Sequence, residues 1–328
     1  MCRLLVNSLR IQEDIKRNPE ILDVPIHRPM FIVGLPRTVT TLLHNLLAQD
    51  PAVRVPLRWE LLRPSPPPGI ETRGTDPRIK YAQNEMRRLR IFAPQVFLIH
   101  PLNPTGPDKC IHLFKKGFAS FSFSMLCNIP KYLDWLFQQD MIPTYSYYRN
   151  QLQLVQWRCP GKYWILKPPS HLFSFNALFA VFPDACVVQT HRDPLKAVAS
   201  FFSMVPIIRK MYSDHEDLKQ IGKSCLSLLS MAFDRAIKTR EKAHTQQFCD
   251  VRYHELIDDP IGIVKDIYRY FGCDMDLRIE TGMKCWLRDN SQHKSGVHRY
   301  SLDLFGMDPY RVKQCFAGYM ERFKIRAE

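Results

Sequence analysis

The sequence contains no CxxC pair, and none of its ten cysteines stands near histidine at zinc-ligand spacing. Neither a metal site nor a dense disulfide scaffold is indicated. No uninterrupted apolar run approaches the roughly 18 residues that a membrane span needs, and the apolar stretch at Leu4 to Val6 is too short for a signal peptide core. Every asparagine fails the glycosylation pattern, since Asn103 is followed by Pro104. Gly/Ser-rich linkers, charge blocks and internal repeats are also missing, so residues 1–328 read as one domain, and the local prolines at Pro64 to Pro68 as a stiff loop. A reducing, cytoplasmic compartment follows from the cysteine usage.

Of the 328 residues, 45% are hydrophobic and 24% charged, enough to bury a full core. Lys and Arg number 46 against 32 Asp and Glu, a formal charge of +14 that favours an anionic partner. The basic residues are scattered through periodic segments and accompany no RNA- or DNA-binding signature, which favours a bound anionic nucleotide over nucleic acid.

Apolar runs followed by helical periodicity recur along the chain. Phe31 to Val33 ends at Gly34 and is followed by Leu42, Leu43, Leu46 and Leu47 at helical spacing. Tyr163 to Leu166 precedes a helix over Phe173 to Phe182. Ala185 to Thr190 precedes Asp193 as N-cap and Pro194 at the first helical position. Asp250 to Tyr253 leads to Asp259-Pro260 and an amphipathic helix closed by Gly272. Such alternation predicts an α/β fold, a P-loop-like parallel sheet flanked by helices. The stretch Tyr81 to Trp157 has no strand alternation and predicts helical insertions that cap the sheet and wall a pocket, although its aromatics also read as plain core.

The most informative loop is Gly34-Leu35-Pro36-Arg37-Thr38-Val39-Thr40-Thr41. It lies between a buried strand and a helix start, where free backbone N–H groups and the helix dipole favour an anion. Arg37, Thr38, Thr40 and Thr41 add a guanidinium and hydroxyl donors. The Gly-Lys-Ser/Thr ending of a Walker loop is absent, which argues against an NTPase or a P-loop kinase. A second segment, Val187 to Pro194 with Arg192 at a strand end and Ser200 on the following helix, can direct both side chains to one oxyanion.

The first loop resembles the 5′-phosphosulfate loop of PAPS-dependent sulfotransferases (PAPS, 3′-phosphoadenosine 5′-phosphosulfate), and the second their 3′-phosphate segment. Trp59 to Pro64, Leu152-Gln153 with Gln156-Trp157, and Leu166 to Leu172 extend the resemblance over nearly the whole chain, especially to the branch common in bacteria and also present in eukaryotes. The resemblance implies PAPS as donor with no metal, sulfuryl transfer to a hydroxyl or amine, and donor contacts from Arg37, Thr38, Val39, Thr40, Thr41, Arg192, Ser200, Tyr253, Lys294 and Gly296, with Arg299 in the same C-terminal loop. His100 also resembles a family position and reads equally well as structural.

Two residues compete as general base. Glu60, beside Trp59 and a proline loop, follows the phosphosulfate loop and first helix, where similar enzymes place a carboxylate; it reads otherwise as a helix cap or ion-pair partner. His171, in a Lys-x-x-x-His arrangement with Lys167, offers a neutral imidazole or merely caps a helix. Lys167 at a strand end can stabilise charge on the transferring group. Two positions depart from the family pattern. Val39 stands where the family has Gly, at a place that favours φ > 0, and this opens a reading as an impaired enzyme or nucleotide-binding protein. Lys109 stands before Cys110 where an acidic residue is usual. Phe121, Phe123, Trp135 and Tyr148 suggest a lipid-like or polyketide-like hydroxylated acceptor, with a carbohydrate as the other reading. A homodimer is left open.

Overall fold

The computed structural model describes residues 1–99, 102–243, 245–290 and 301–328. His100, Lys294, Gly296 and Arg299 lie outside the described residues. Four parallel strands form one sheet: β1 (Met30–Gly34), β2 (Ile165–Leu166), β3 (Cys186–His191) and β4 (Phe248–Arg252), in the order β2-β1-β3-β4. In register, Phe31 stands opposite both Leu166 and Val187. All of β1 and β3 is buried, as expected of a parallel sheet covered on both faces.

The period-two alternation of β1 explains the two cores. Phe31 and Val33 point into a large cluster with Leu166, Val187 and the helices Ile142–Gln156, Phe175–Val181, Pro194–Arg209 and Leu218–Arg240. Met30 and Ile32 point the other way, against Ile165, Val188 and the helices Thr40–Leu47, Pro260–Phe271 and Leu277–Asp289. The predicted α/β sandwich is therefore present, with helices on both faces.

From β1 the chain moves outward to β2, then crosses back to β3 on the opposite side of β1. That reversal makes the carboxyl ends of β1 and β3 the topological switch point, where open α/β sheets bind ligands. The caps expected from sequence also form. Asp193 accepts from the Leu195 N–H at 2.8 Å, and Gly272 ends the Pro260–Phe271 helix at φ 65°.

Candidate active site

β1 ends on Gly34, where a Cβ would lie 2.2 Å from Thr190 Oγ1, 2.7 Å from the Thr190 carbonyl and 2.8 Å from Thr38 Oγ1. Only glycine lets the loop turn this close to β3. Thr38 is fully buried and turned inward. Its hydroxyl donates to the Leu35 carbonyl at 2.7 Å and lies 2.6 Å from Thr190 Oγ1. This side chain braces the loop against β3 rather than facing a ligand, a correction to the sequence-based expectation that its hydroxyl faces the anion. Arg37 and Val39 adopt positive φ of 74° and 57°, and Val39 is the N-cap of the Thr40–Leu47 helix at ψ 18°. The β-branched residue thus occupies the left-handed conformation that glycine adopts without strain, at a disadvantage of about 1–2 kcal/mol.

The second segment meets the first. Arg192 Nη1 donates to the Arg37 carbonyl at 3.0 Å, and Arg37 Nε donates to Ser200 Oγ at 3.0 Å. Arg192 also lies over the Tyr253 ring, 3.8 Å from its centroid, and Tyr253 opens the helix that follows β4. Arg192 already grips a carboxylate: its Nε and Nη2 donate to Glu328 at 3.0–3.1 Å, while the Glu328 N–H donates to Asp193 Oδ2 at 2.9 Å. An anion therefore sits on this guanidinium in the geometry that a phosphate oxygen would use.

Both segments open onto a cavity of about 610 Å³, lined at this end by Arg37, Val39, Thr40, Thr41, Arg192, Ser200 and Tyr253. Lys167, at the end of β2, is buried and donates to Thr41 Oγ1 at 3.1 Å. Burial, with Lys109 close by, lowers its pKa to about 7. The segment after residue 107 supplies the next wall. The Cys110 N–H donates to the Lys167 carbonyl at 3.1 Å, which straps residues 108–115 to β2 and brings Asp108, Lys109, His112 and Lys115 to the cavity. Asp108 pairs with Arg58 and lies 3.5 Å from His112 Nε2. Burial lowers Lys109, assisted by Arg37 and Arg58 and opposed by Asp108. Burial also takes Lys115 down to about 8 and His112 to about 4, with Asp108 opposing both shifts. A cavity with this excess of cations favours anions.

The sequence model of the sulfotransferase family matches residues 29–276, which hold all four described strands and both loop segments. The chain belongs to the sulfotransferase family. It is 32% identical to sulfotransferase STF9 from Mycobacterium avium, whose crystal structure superposes with a TM-score of 0.91 over 99% of this chain and 84% of that one. Sulfotransferase STF1 from Mycobacterium tuberculosis H37Rv is 36% identical, with a TM-score of 0.81 over 96% of this chain and 83% of that one. A further relative, the omega-hydroxy-beta-dihydromenaquinone-9 sulfotransferase Stf3 of Mycobacterium bovis, is 24% identical over 84% of this chain and 70% of its own length.

In this sulfotransferase neither expected base lines the cavity. Glu60 is fully buried in the helix Arg58–Leu62, where Oε1 accepts from Arg54 Nη2 at 2.6 Å and Oε2 from the Leu57 N–H at 2.9 Å. Its carboxylate serves as the ion-pair and capping group that the sequence also allowed. His171 is likewise fully buried, its Nδ1 2.6 Å from the Tyr145 hydroxyl and its ring edge-on to Phe31. Burial takes its pKa to about 3, and its Nε2 has no hydrogen-bond partner among the described residues. Its neighbours Ser170, Leu172 and Phe173 line the cavity instead.

The sulfotransferase also assembles its apolar wall differently from expectation. Of the four aromatics singled out, Phe121 lines the cavity, stacked on Phe173 at 4.1 Å. Phe123 packs on Phe118 and Tyr132, Trp135 is 46% exposed, and Tyr148 is buried against Phe114 and Phe182. Further parts of the wall are Leu172 on the 3-10 turn Pro169–Phe173, Phe201 and Met204 on the helix after β3, and Leu228 on the helix Leu218–Arg240. His112 and this wall were missed by sequence reasoning. His112 carries no motif beyond standing four residues after Asp108, and the wall residues are indistinguishable from core by pattern.

Proposed function

We propose that this sulfotransferase moves the sulfuryl group of PAPS to a hydroxyl on a lipid-like acceptor. The observation that carries the donor assignment is the joining of Arg37, Ser200 and Arg192 around a seat that already holds a carboxylate. PAPS, when bound, supplies an activated sulfuryl group on a good phosphate leaving group. Arg192, with Ser200 beside it and the Tyr253 ring beneath, suits the ribose phosphate and adenine end. The N–H groups at the start of the Thr40–Leu47 helix, the Thr40 and Thr41 hydroxyls and Arg37 suit the phosphosulfate end. Lys167, fixed on Thr41, adds positive charge where negative charge grows on the leaving oxygen.

The acceptor class rests on the other end of the cavity. Phe121, Leu172, Phe173, Phe201, Met204 and Leu228 form an apolar surface contiguous with the cationic one. A long apolar molecule carrying one hydroxyl fits this wall better than a sugar, which needs many polar partners. The substrate printed in the name of the Stf3 relative, a hydroxylated menaquinone derivative, is of this kind.

Incubation of the full chain with sulfur-labelled PAPS and two sets of acceptors, long-chain alcohols and free sugars, tests the reading. Labelled sulfate esters of the alcohols are the expected product. Sulfated sugars alone would overturn the acceptor class. Tight binding of adenosine 3′,5′-bisphosphate with no product from either set would favour a nucleotide-binding protein that has lost turnover, for which Val39 is the motive.

A further inference from the structure

Resting on the donor reading above, we propose that His112, held by Asp108, is the general base that takes the proton from the acceptor hydroxyl. Glu60 and His171 are withdrawn from the cavity, whereas His112 lines it beside Lys109 and Lys115. The ring lines the one cavity that holds both the anion loop and the apolar wall. Its segment is strapped to the end of β2 by the bond from the Cys110 N–H to the Lys167 carbonyl, and Lys167 Nζ reaches Thr41 of the anion loop. Phe121 and Phe173 belong to the apolar wall of the same cavity.

Asp108 has the attributes of a positioning residue. Its carboxylate is pinned on Arg58, its Oδ1 accepts from the Lys109 N–H at 2.7 Å, and its own N–H donates to the Pro56 carbonyl at 3.0 Å. The 3.5 Å approach of Oδ2 to His112 Nε2 favours the tautomer with hydrogen on Nε2, which keeps the lone pair on Nδ1. Such contacts commonly tighten when substrate binds. The charges acting on the ring are Asp108, Lys115 and Arg58, with Lys109 and Lys167 each interacting with Asp108 and Lys116 Nζ on the His112 carbonyl at 2.8 Å. Burial among so many cations keeps the imidazole neutral at physiological pH, the state a base requires.

The step balances without a metal or redox partner. The acceptor O–H bond breaks and its proton passes to Nδ1, while the acceptor oxygen forms its bond to sulfur. The bond from sulfur to the 5′-phosphate oxygen breaks, its electron pair leaving on adenosine 3′,5′-bisphosphate. The imidazolium, stabilised by Asp108, then releases its proton to water.

Selective ¹⁵N-histidine labelling of the full chain with adenosine 3′,5′-bisphosphate bound, assigned with His112→Gln, reads the tautomer without any turnover. The expected result is a neutral ring protonated on Nε2 from pH 6.5 to 9; a proton on Nδ1, or a charged ring at pH 7.5, would overturn the proposal. With labelled PAPS and farnesol, His112→Gln is expected to lower kcat by about 100-fold or more and to abolish the acidic limb of the kcat profile. Its affinity for the bisphosphate should stay within threefold of the parent. Asp108→Asn should move that limb to lower pH, because removing the carboxylate disfavours imidazolium, and imidazole should restore part of the rate to His112→Gly. An unchanged kcat and limb in His112→Gln contradicts the assignment. Failure of the donor reading looks different, as absent bisphosphate binding in the parent protein.

Discussion

The two ends of the cavity are built by different rules. At the anion end most groups sit just past a strand, Arg37 after β1, Lys167 at the end of β2, Arg192 after β3 and Tyr253 after β4, with Thr41 and Ser200 on the helices that follow β1 and β3. At the apolar end the groups come from helices far apart in sequence, Phe121 from one insertion and Met204 and Leu228 from two helices that cover the sheet. The first end is fixed by backbone register, so its geometry tolerates little. The second is fixed by packing, so its side chains can vary while the cavity persists.

The largest expected effect tests that rigidity. Gly34→Ala forces a methyl group into Thr190 and Thr38 and should destabilise the fold by at least about 3 kcal/mol in urea unfolding, or prevent folding. A stable variant would mean that the loop is not held by register. At the apolar end, Met204→Gln should weaken use of a long-chain alcohol by about tenfold, the equivalent of roughly 1–2 kcal/mol of apolar contact, and leave bisphosphate affinity unchanged. Loss of bisphosphate binding in that variant would erase the distinction between the two ends.

Much of this contrast was legible in the sequence. The strand-loop-helix units announced the sheet because apolar runs ending in Gly34 or in Arg192-Asp193-Pro194 have few other solutions. Placing Arg37, Arg192 and Ser200 together follows once β1 and β3 are neighbours. The inward turn of Thr38 was not legible, since a threonine in a loop offers the same hydroxyl to ligand or to scaffold. Glu60 was ambiguous for a related reason: nothing local says that Arg54, six residues earlier, folds back onto it. The apolar wall was hidden because a Leu or Met that lines a cavity and one that fills a core share one periodicity.

Proton linkage distinguishes the cationic end in a second way. Lys167, lowered to about 7, and Lys115, lowered to about 8, are partly neutral near pH 8 in the free protein. A bound phosphate favours their charged forms, so binding takes up protons, and affinity for the bisphosphate should fall by up to about tenfold from pH 6.5 to 8.5. Calorimetry in buffers of different ionisation enthalpy checks the sign; proton release would contradict it. The smallest effect belongs to Val39→Gly. Relief of about 1–2 kcal/mol of left-handed strain is offset by about 0.5–1 kcal/mol of added chain entropy, so stability should rise by about 1.5 kcal/mol or less. A Tm that drops by several degrees would show that the packing of Val39 against the second core outweighs its backbone.

Arg192 forms the seat on which donor binding depends most directly. Titration of the full chain with adenosine 3′,5′-bisphosphate, beside Arg192→Ala, is the decisive measurement. Saturable binding that weakens by roughly 100-fold in the variant, the equivalent of about 3 kcal/mol for charge-assisted bonds to phosphate, is the predicted result. Equal affinity in the two proteins would place the nucleotide elsewhere and contradict the assignment of these two loops to the donor.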